Sequence, residues 1–133
     1  MPTPSFRLHS TVLGTPDPPG LARFWVELLG YRYRDGEPEP DAAWIVIKPP
    51  GTDDVAPGLS FQLERDHTPP TWPSGPGDQQ LQLHLDIGVD DLPAAVARAE
   101  ALGARQAAYQ PQELVRVMLD PAGHPFCLFA PGG

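Results

Sequence analysis

The fold of this chain is decided by two similar stretches of sequence. The first is LHSTVLGTPDPPGLARFWVELLG (residues 8–30), and the second is LHLDIGVDDLPAAVARAEALG (residues 83–103). Each opens on Leu-His in a run typical of a β-strand, and each closes on a Leu-Gly that ends a run typical of a helix. The interval from His9 to His84 is only slightly longer than the interval from Gly30 to Gly103. The sequence therefore indicates two copies of one module, each with a histidine at the same structural point.

Both helical runs carry one apolar stripe and a start and stop signal. Asp17 is the predicted N-cap of the first helix, and Asp90 or Asp91 that of the second. The pattern predicts helices at about residues 18–29 and 91–102 that lie half buried on a sheet. The stripe residues are Leu21, Phe24, Trp25, Leu28 and Leu29 in the first copy and Leu92, Ala95, Val96, Ala99 and Leu102 in the second.

Short strand-like runs follow each helix. They lie near residues 31–34, 43–48 and 59–64, and again near 105–108, 115–120 and 126–130. Each module therefore reads β-α-β-β-β, which predicts an α+β protein. We expect one domain over residues 1–133, made of modules at about 5–66 and 80–131 that a Pro/Gly-rich connector, residues 67–79, joins.

Composition excludes several classes of function. A net charge of −8 argues against nucleic-acid binding, which needs a basic surface. No apolar run approaches the roughly 18–20 residues that span a bilayer, and the N-terminal residues lack the pattern of a secretory signal. The single cysteine, Cys127, cannot form an internal disulfide. We therefore expect a cytoplasmic protein without a membrane or nucleic-acid partner.

The double β-α-β-β-β pattern resembles the glyoxalase/bleomycin resistance/dioxygenase superfamily, which has the vicinal oxygen chelate fold. The specific part of the resemblance is QLQLHLDIGVDDL (residues 80–92) and DPAGHPFCL (residues 120–128). Together with PPTWP (residues 69–73), these stretches look like a glyoxalase-like subgroup common in actinobacteria. The resemblance covers essentially the whole chain. It implies an open, barrel-like cleft of mixed sheet with the helices outside, and it implies a homodimer.

The resemblance also points to four positions on the cleft wall that hold metal ligands in relatives of glyoxalase I. Alignment of the first strands places His9 and His84 at two of them, and alignment of the last strands places Gln62 and Cys127 at the others. Metal-active members usually carry glutamates at the last two positions. This sequence has an amide and a thiol there, so Mg, Mn and Fe(II) should bind weakly.

Two interpretations of this quartet remain open. In the first, His9, His84 and Cys127 bind zinc with a water in an open position. In the second, the histidines are polar cleft residues and Cys127 is a small buried thiol. The missing carboxylates favour the second, so we expect no cofactor and an empty or water-filled site in protein purified without added metal.

Other residues are weaker candidates. Trp44, in a strand, and Trp72, in the connector, could wall a ligand cleft or pack beneath a loop. Glu64 and Asp86 are strand carboxylates that could act as acid or base if they face the cleft. His124 is expected to be a solvated turn residue. The catalytic residue is not predicted by the sequence.

The resemblance leaves three functions open, because fold alone does not choose among them. The favoured one is a small-molecule-binding protein of the glyoxalase-like class. If it is an enzyme, a lyase, isomerase or dioxygenase with a degenerate metal site is implied. The main alternative is a non-enzymatic, bleomycin-resistance-like binder that sequesters a drug or natural product, and the third is a regulatory protein with a vestigial site.

Overall fold

The computed structural model describes residues 3–131, and the chain divides into two compact units, Met1–Arg65 and Asp66–Gly133. The connector that the sequence places between the modules belongs to the second unit. Within the described residues, neither helix has the length and apolar character that a membrane crossing requires.

The first unit contains one helix and four strands. They are β1 (Ser10–Thr15), α1 (Pro18–Leu29), β2 (Arg32–Tyr33), β3 (Trp44–Lys48) and β4 (Gly58–Leu63). The strand order is β1-β4-β3-β2, with β1 parallel to β4 and the other pairs antiparallel. Helix α1 packs on β1, β3 and β4. Trp25 is fully buried, as the apolar stripe predicted.

The second unit repeats this topology. Its elements are β5 (Leu85–Gly88), α2 (Leu92–Ala101), β6 (Arg105–Gln106), β7 (Val115–Leu119) and β8 (Pro125–Phe129). The order β5-β8-β7-β6, with β5 parallel to β8, matches that of the first unit. The predicted α+β class with two β-α-β-β-β modules is therefore confirmed.

Both helices begin where the sequence predicted, because an aspartate side chain caps each one. Asp17 accepts a hydrogen bond from the Gly20 backbone N–H at 3.1 Å, and Asp91 accepts one from that of Ala94 at 3.1 Å. A Cβ on Gly20 would lie 2.2 Å from an oxygen of Asp17, so glycine keeps room for the cap. These bonds satisfy backbone donors that have no partner within the helix.

The first strand of the second unit starts later than the sequence suggested, because the strand-like run was expected to open on Leu83 and His84. Strand β5 begins at Leu85, and residues 81–84 lie outside any strand. Leu83 lies outside this strand and is 77% exposed. Within β5 the alternation holds: Leu85 and Ile87 are half-buried, and Asp86 and Gly88 are exposed.

The connector packs on the β7–β8 turn of its own unit. His67 Nε2 lies 2.9 Å from the carbonyl oxygen of Ala122, and its ring lies 5.0 Å from the ring of His124. Gly123 has a φ of 87°, and a Cβ there would lie 2.7 Å from Pro69. Both the backbone conformation and the close approach of the connector therefore require glycine at this turn.

The expectation that His124 is a solvated turn residue is wrong. Its side chain is only 17% exposed, and its Nδ1 lies 2.9 Å from a carboxylate oxygen of Asp120. The Asp120 side chain is fully buried and also accepts hydrogen bonds from the backbone N–H groups of Ala122 and His124. A buried carboxylate needs several donors, and the His124 ring supplies one of them.

The two histidines do not occupy equivalent strand positions, so that prediction is also wrong. The interval from His9 to His84 exceeds the interval between the two N-caps, Asp17 and Asp91, by a single position. A shift of one residue turns a strand side chain to the opposite face of its sheet.

Backbone hydrogen bonds confirm the one-residue shift. The carbonyl of His9 accepts a hydrogen bond from the Gly58 N–H of β4. In the first unit, therefore, the odd-numbered residues at the first strand form the backbone hydrogen bonds to the last strand. In the second unit the N–H of Val89 donates to the carbonyl of Phe129, so here too the odd-numbered residues form the backbone hydrogen bonds to the last strand. His84 is even-numbered, and its counterpart in the first unit is therefore Ser10.

The caps provide a test of the module boundaries. We expect Asp17→Ala and Asp91→Ala each to lower the free energy of unfolding by about 1 kcal/mol, because each leaves a helix N–H without its acceptor. Urea denaturation followed by circular dichroism measures this. The matched control is Asp90→Ala, an exposed residue beside the second cap, which should change the stability by less than about 0.5 kcal/mol. Equal losses at Asp90 and Asp91 would contradict the assignment of the cap.

Candidate functional site

A pocket of about 420 Å³ lies on one face of the second unit's sheet. Its floor comes from strands β5, β7 and β8, and its rim comes from the connector and the β6–β7 loop. The lining is mostly apolar and aromatic, with a few polar groups, as is usual in small-molecule sites. The lining residues are Trp72, His84, Asp86, Pro111, Gln112, Val115, Val117, Cys127 and Phe129.

Strand alternation explains why these side chains meet. Phe126 and Leu128 of β8 are each 1% exposed, and they alternate with Cys127 and Phe129, which line the pocket. Cys127 pairs directly with Asp86 of the parallel neighbour β5 and with Val117 of the antiparallel neighbour β7. The middle strand thus presents its thiol between a carboxylate on one side and an apolar side chain on the other.

Three polar groups cluster on the floor. His84 Nε2 lies 3.0 Å from Asp86 Oδ1, with the two side chains 44% and 61% exposed. Burial raises the pKa of the half-buried Cys127 thiol, and the charge of Asp86 and a hydrogen bond to it raise the pKa further. Cys127 is therefore a protonated thiol at neutral pH rather than a ready nucleophile. One donor atom from each of the three residues lies within 4.8 Å of the other two.

Gln110 and Arg116 hold the rim of the pocket in place through hydrogen bonds to the backbone, and neither is a candidate from the sequence. Gln110 donates to the carbonyls of Ala107 and Val117 at 2.8 and 2.9 Å and accepts from the Val117 N–H at 2.8 Å. Arg116 donates to the carbonyls of Gln112 and Glu113. Nothing in the local sequence distinguishes this glutamine or arginine from a surface residue, so only the folded loop shows what they do.

His9 occupies a different environment in the first unit. Its Nδ1 lies 3.4 Å from Nζ of Lys48, the single lysine of the chain. Lys48 is fully buried, and it also donates to the carbonyls of Ala56 at 2.7 Å and His9 at 3.3 Å. A neighbouring ammonium opposes the binding of a cation. Of the predicted metal set, His84 and Cys127 line the second unit's pocket together with Asp86, whereas His9 lies beside the Lys48 ammonium.

The structure also reassigns the last-strand positions. Gly14 and Gly88 are counterparts, because each precedes the N-cap of its unit, Asp17 or Asp91, by the same interval. Gly14 pairs with Gln62 of the last strand, whereas Gly88 pairs with Phe129. Phe129 is therefore the counterpart of Gln62, and by the same register Ser60 is the counterpart of Cys127. The predicted equivalence of Gln62 and Cys127 is wrong, because sequence alone does not fix the register between strands that are distant along the chain.

The equivalent face of the first unit carries different chemistry. Where the second unit has His84 and Cys127, the first has Ser10 and Ser60, whose hydroxyl oxygens lie 2.6 Å apart. Farther along the same face, the exposed Trp44 pairs with Gln62, and the amide of Gln62 donates to the carboxylate of Glu64 at 2.8 Å. At the positions of the His84 imidazole and the Cys127 thiol, the first unit therefore has two hydroxyl groups.

A second cavity, of about 480 Å³, lies beside α2. Its lining is largely apolar, and its arginine, Arg116, already donates to backbone carbonyls. It offers no cluster of acid, base and thiol groups like that of the first pocket. The lining residues are Leu92, Pro93, Val96, Gln106, Glu113, Leu114 and Arg116.

Two β-α-β-β-β modules, each with its first and last strands paired in parallel, are the architecture of the vicinal oxygen chelate fold. A family model described as glyoxalase-like domain matches residues 10–129. The chain therefore belongs to the glyoxalase-like domain family. No curated protein matches its sequence.

Solved structures support the same fold. A glyoxalase/bleomycin resistance protein/dioxygenase family enzyme from Burkholderia phytofirmans PsJN is similar, with a TM-score of 0.65 at 18% identity over 94% of this chain and 98% of that one. A glyoxalase family protein from Enterococcus faecalis gives 0.60 at 16% identity, over 92% and 96%. TnmS3, an antibiotic binding protein from Streptomyces sp. CB03234, gives 0.53 at 21% identity, over 97% and 98%.

The electrostatics of Cys127 give a testable outcome. Asp86→Asn removes the charge that raises the pKa of the thiol, so a larger thiolate fraction should form at about pH 8 and alkylation by iodoacetamide should be faster. Mass spectrometry of the intact protein follows the rate, and the single cysteine makes the site of labelling unambiguous. Asp90→Asn, which removes an exposed carboxylate outside the pocket lining, should leave the rate unchanged. An unaltered rate in Asp86→Asn would show that Asp86 does not control the thiol.

Proposed function

We propose that this protein binds a small molecule, partly aromatic and positively charged, in the second unit's pocket and sequesters it without chemical change. The observation that carries the proposal is the lining: Trp72, Phe129 and aliphatic side chains surround one exposed carboxylate, Asp86. The volume of about 420 Å³ falls in the range typical of drug-sized ligands. The net charge of −8 also favours a cationic ligand.

Each part of the pocket has a separate role in this proposal. The Trp72 ring offers a flat apolar surface for stacking, and the centroid of the Tyr109 ring lies 6.5 Å from that of Trp72. The Trp72 Nε1 is buried and has no acceptor among the described residues, so an oxygen of the ligand would satisfy it. Asp86 supplies the counter-charge, and Gln110 keeps the rim in place before the ligand arrives.

The similarity in fold to TnmS3, an antibiotic binding protein, supports the proposal. The alternative is an enzyme of lyase, isomerase or dioxygenase type. Two observations favour the binder over the enzyme. The Cys127 thiol is held protonated, and the first unit has serines where the second has His84 and Cys127.

Fluorescence titration with a panel of aromatic antibiotics, both cationic and neutral, tests the proposal. We expect saturable quenching by cationic members of the panel. Trp72→Ala should weaken binding about tenfold, which corresponds to about 1.4 kcal/mol of lost stacking. Trp44→Ala is the matched control because Trp44 is exposed on a strand of the first unit, and it should leave the affinity unchanged.

Recovery of the bound compound separates the two functions. After prolonged incubation a sequestering protein returns the compound with an unaltered mass, whereas an enzyme returns a product. The proposal fails if no cationic compound of the panel binds, or if Trp44→Ala weakens binding as much as Trp72→Ala does.

We further propose that the protein works as a homodimer in the cytoplasm. Closed twofold dimers are the commonest assembly of soluble proteins, and a lone free cysteine suits a reducing compartment. Light scattering coupled to size-exclusion chromatography should give about twice the 14.4 kDa chain mass at micromolar concentration. A single peak at the chain mass would contradict the dimer.

A further inference from the structure

The floor of the pocket has a second chemical capacity that does not depend on the small molecule. His84 and Asp86 flank Leu85, the first residue of β5, and their side chains meet, with His84 Nε2 3.0 Å from Asp86 Oδ1. Cys127 lies directly opposite Asp86 on β8. One nitrogen, one oxygen and one sulfur donor therefore converge from two paired segments, all within 4.8 Å of one another.

These donors select among metal ions. Zinc accepts imidazole nitrogen, carboxylate oxygen and thiolate sulfur at about 2.0–2.3 Å, which places the ligand atoms of a tetrahedral site roughly 3.3–3.8 Å apart. Side-chain rotations that bring atoms now within 4.8 Å about 1 Å closer would reach this geometry. Magnesium and calcium prefer sites made of oxygen alone, so the histidine and cysteine disfavour them.

We propose that the second unit binds one zinc ion through His84, Asp86 and Cys127, with a fourth position open to the pocket. The Cys127 sulfur binds as thiolate, so its S–H proton passes to the buffer as the zinc–sulfur bond forms. The open position is the kind that zinc sites keep for water or for an atom of a ligand.

This site differs from the arrangement that the sequence resemblance implied. That arrangement draws a histidine and a last-strand ligand from each module. Here Asp86 provides the carboxylate that seemed to be missing, from the same segment as His84. His9 takes no part, because it lies beside the Lys48 ammonium, and the first unit's counterparts of His84 and Cys127 are Ser10 and Ser60.

Titration of the full-length protein with Co²⁺, followed by displacement with Zn²⁺, tests the proposal. Thiolate ligation should give an intense near-ultraviolet charge-transfer band that saturates at one equivalent and disappears when zinc is added. Cys127→Ser should abolish the band. His84→Ala and Asp86→Asn should each weaken zinc binding by more than the roughly 10–100-fold that loss of an outer-shell partner costs.

Two matched controls discriminate between the local site and a two-module site. His9→Asn removes the other predicted histidine ligand, and Asp90→Asn removes a nearby exposed carboxylate; both should bind zinc as the unaltered protein does. Circular dichroism of each variant verifies that it is folded. Absence of a saturable band in the unaltered protein would overturn the proposal, and so would loss of zinc binding in His9→Asn. Because Co²⁺ and Zn²⁺ are the only probes, neither result depends on whether an aromatic ligand binds.

Discussion

The parallel pairing of β5 with β8 is the constraint on which the rest of the site depends. Parallel neighbours cannot be joined by a tight turn, so the chain must pass through a helix and two further strands before its last strand reaches its first. The register of this pairing places Asp86 opposite Cys127, although a helix and two strands separate them along the chain. Without this pairing the Cys127 thiol would not lie beside the carboxylate and the imidazole.

The same pairing in the first unit shows that the fold does not require this chemistry. Strands β1 and β4 pair in the same way, yet the residues that correspond to His84 and Cys127 are Ser10 and Ser60, joined by a hydrogen bond. The first unit instead buries the single lysine of the chain against backbone carbonyls. The two modules thus share an architecture, whereas donor groups for a ligand or a metal ion lie together in the second.

The two proposals for the pocket share Asp86 and otherwise use different parts of it. Apolar walls and Trp72 would hold an aromatic ligand, and the floor would hold an ion whose open position faces that ligand. In the absence of metal, burial and then the charge of Asp86 raise the pKa of the Cys127 thiol, and Asp86 would become a ligand when zinc replaces the thiol proton. Zinc would therefore alter the affinity for a cationic molecule by changing the charge at the floor.

The sequence by itself determined the elements of the fold. Apolar stripes, cap residues and strand alternation predicted both helices and the double β-α-β-β-β order, because these are local patterns with periods that the chain displays directly. It also identified His84, Cys127 and Trp72, which the tertiary structure brings to one pocket.

The tertiary structure alone decided which residues are neighbours across the sheet. It showed that His9 is one residue out of phase with His84, that Gln62 corresponds to Phe129, and that His124 pairs with a buried carboxylate. The physical reason is that register and burial depend on pairing between distant segments, and a shift of one residue, which hardly alters a sequence pattern, reverses the face of a strand.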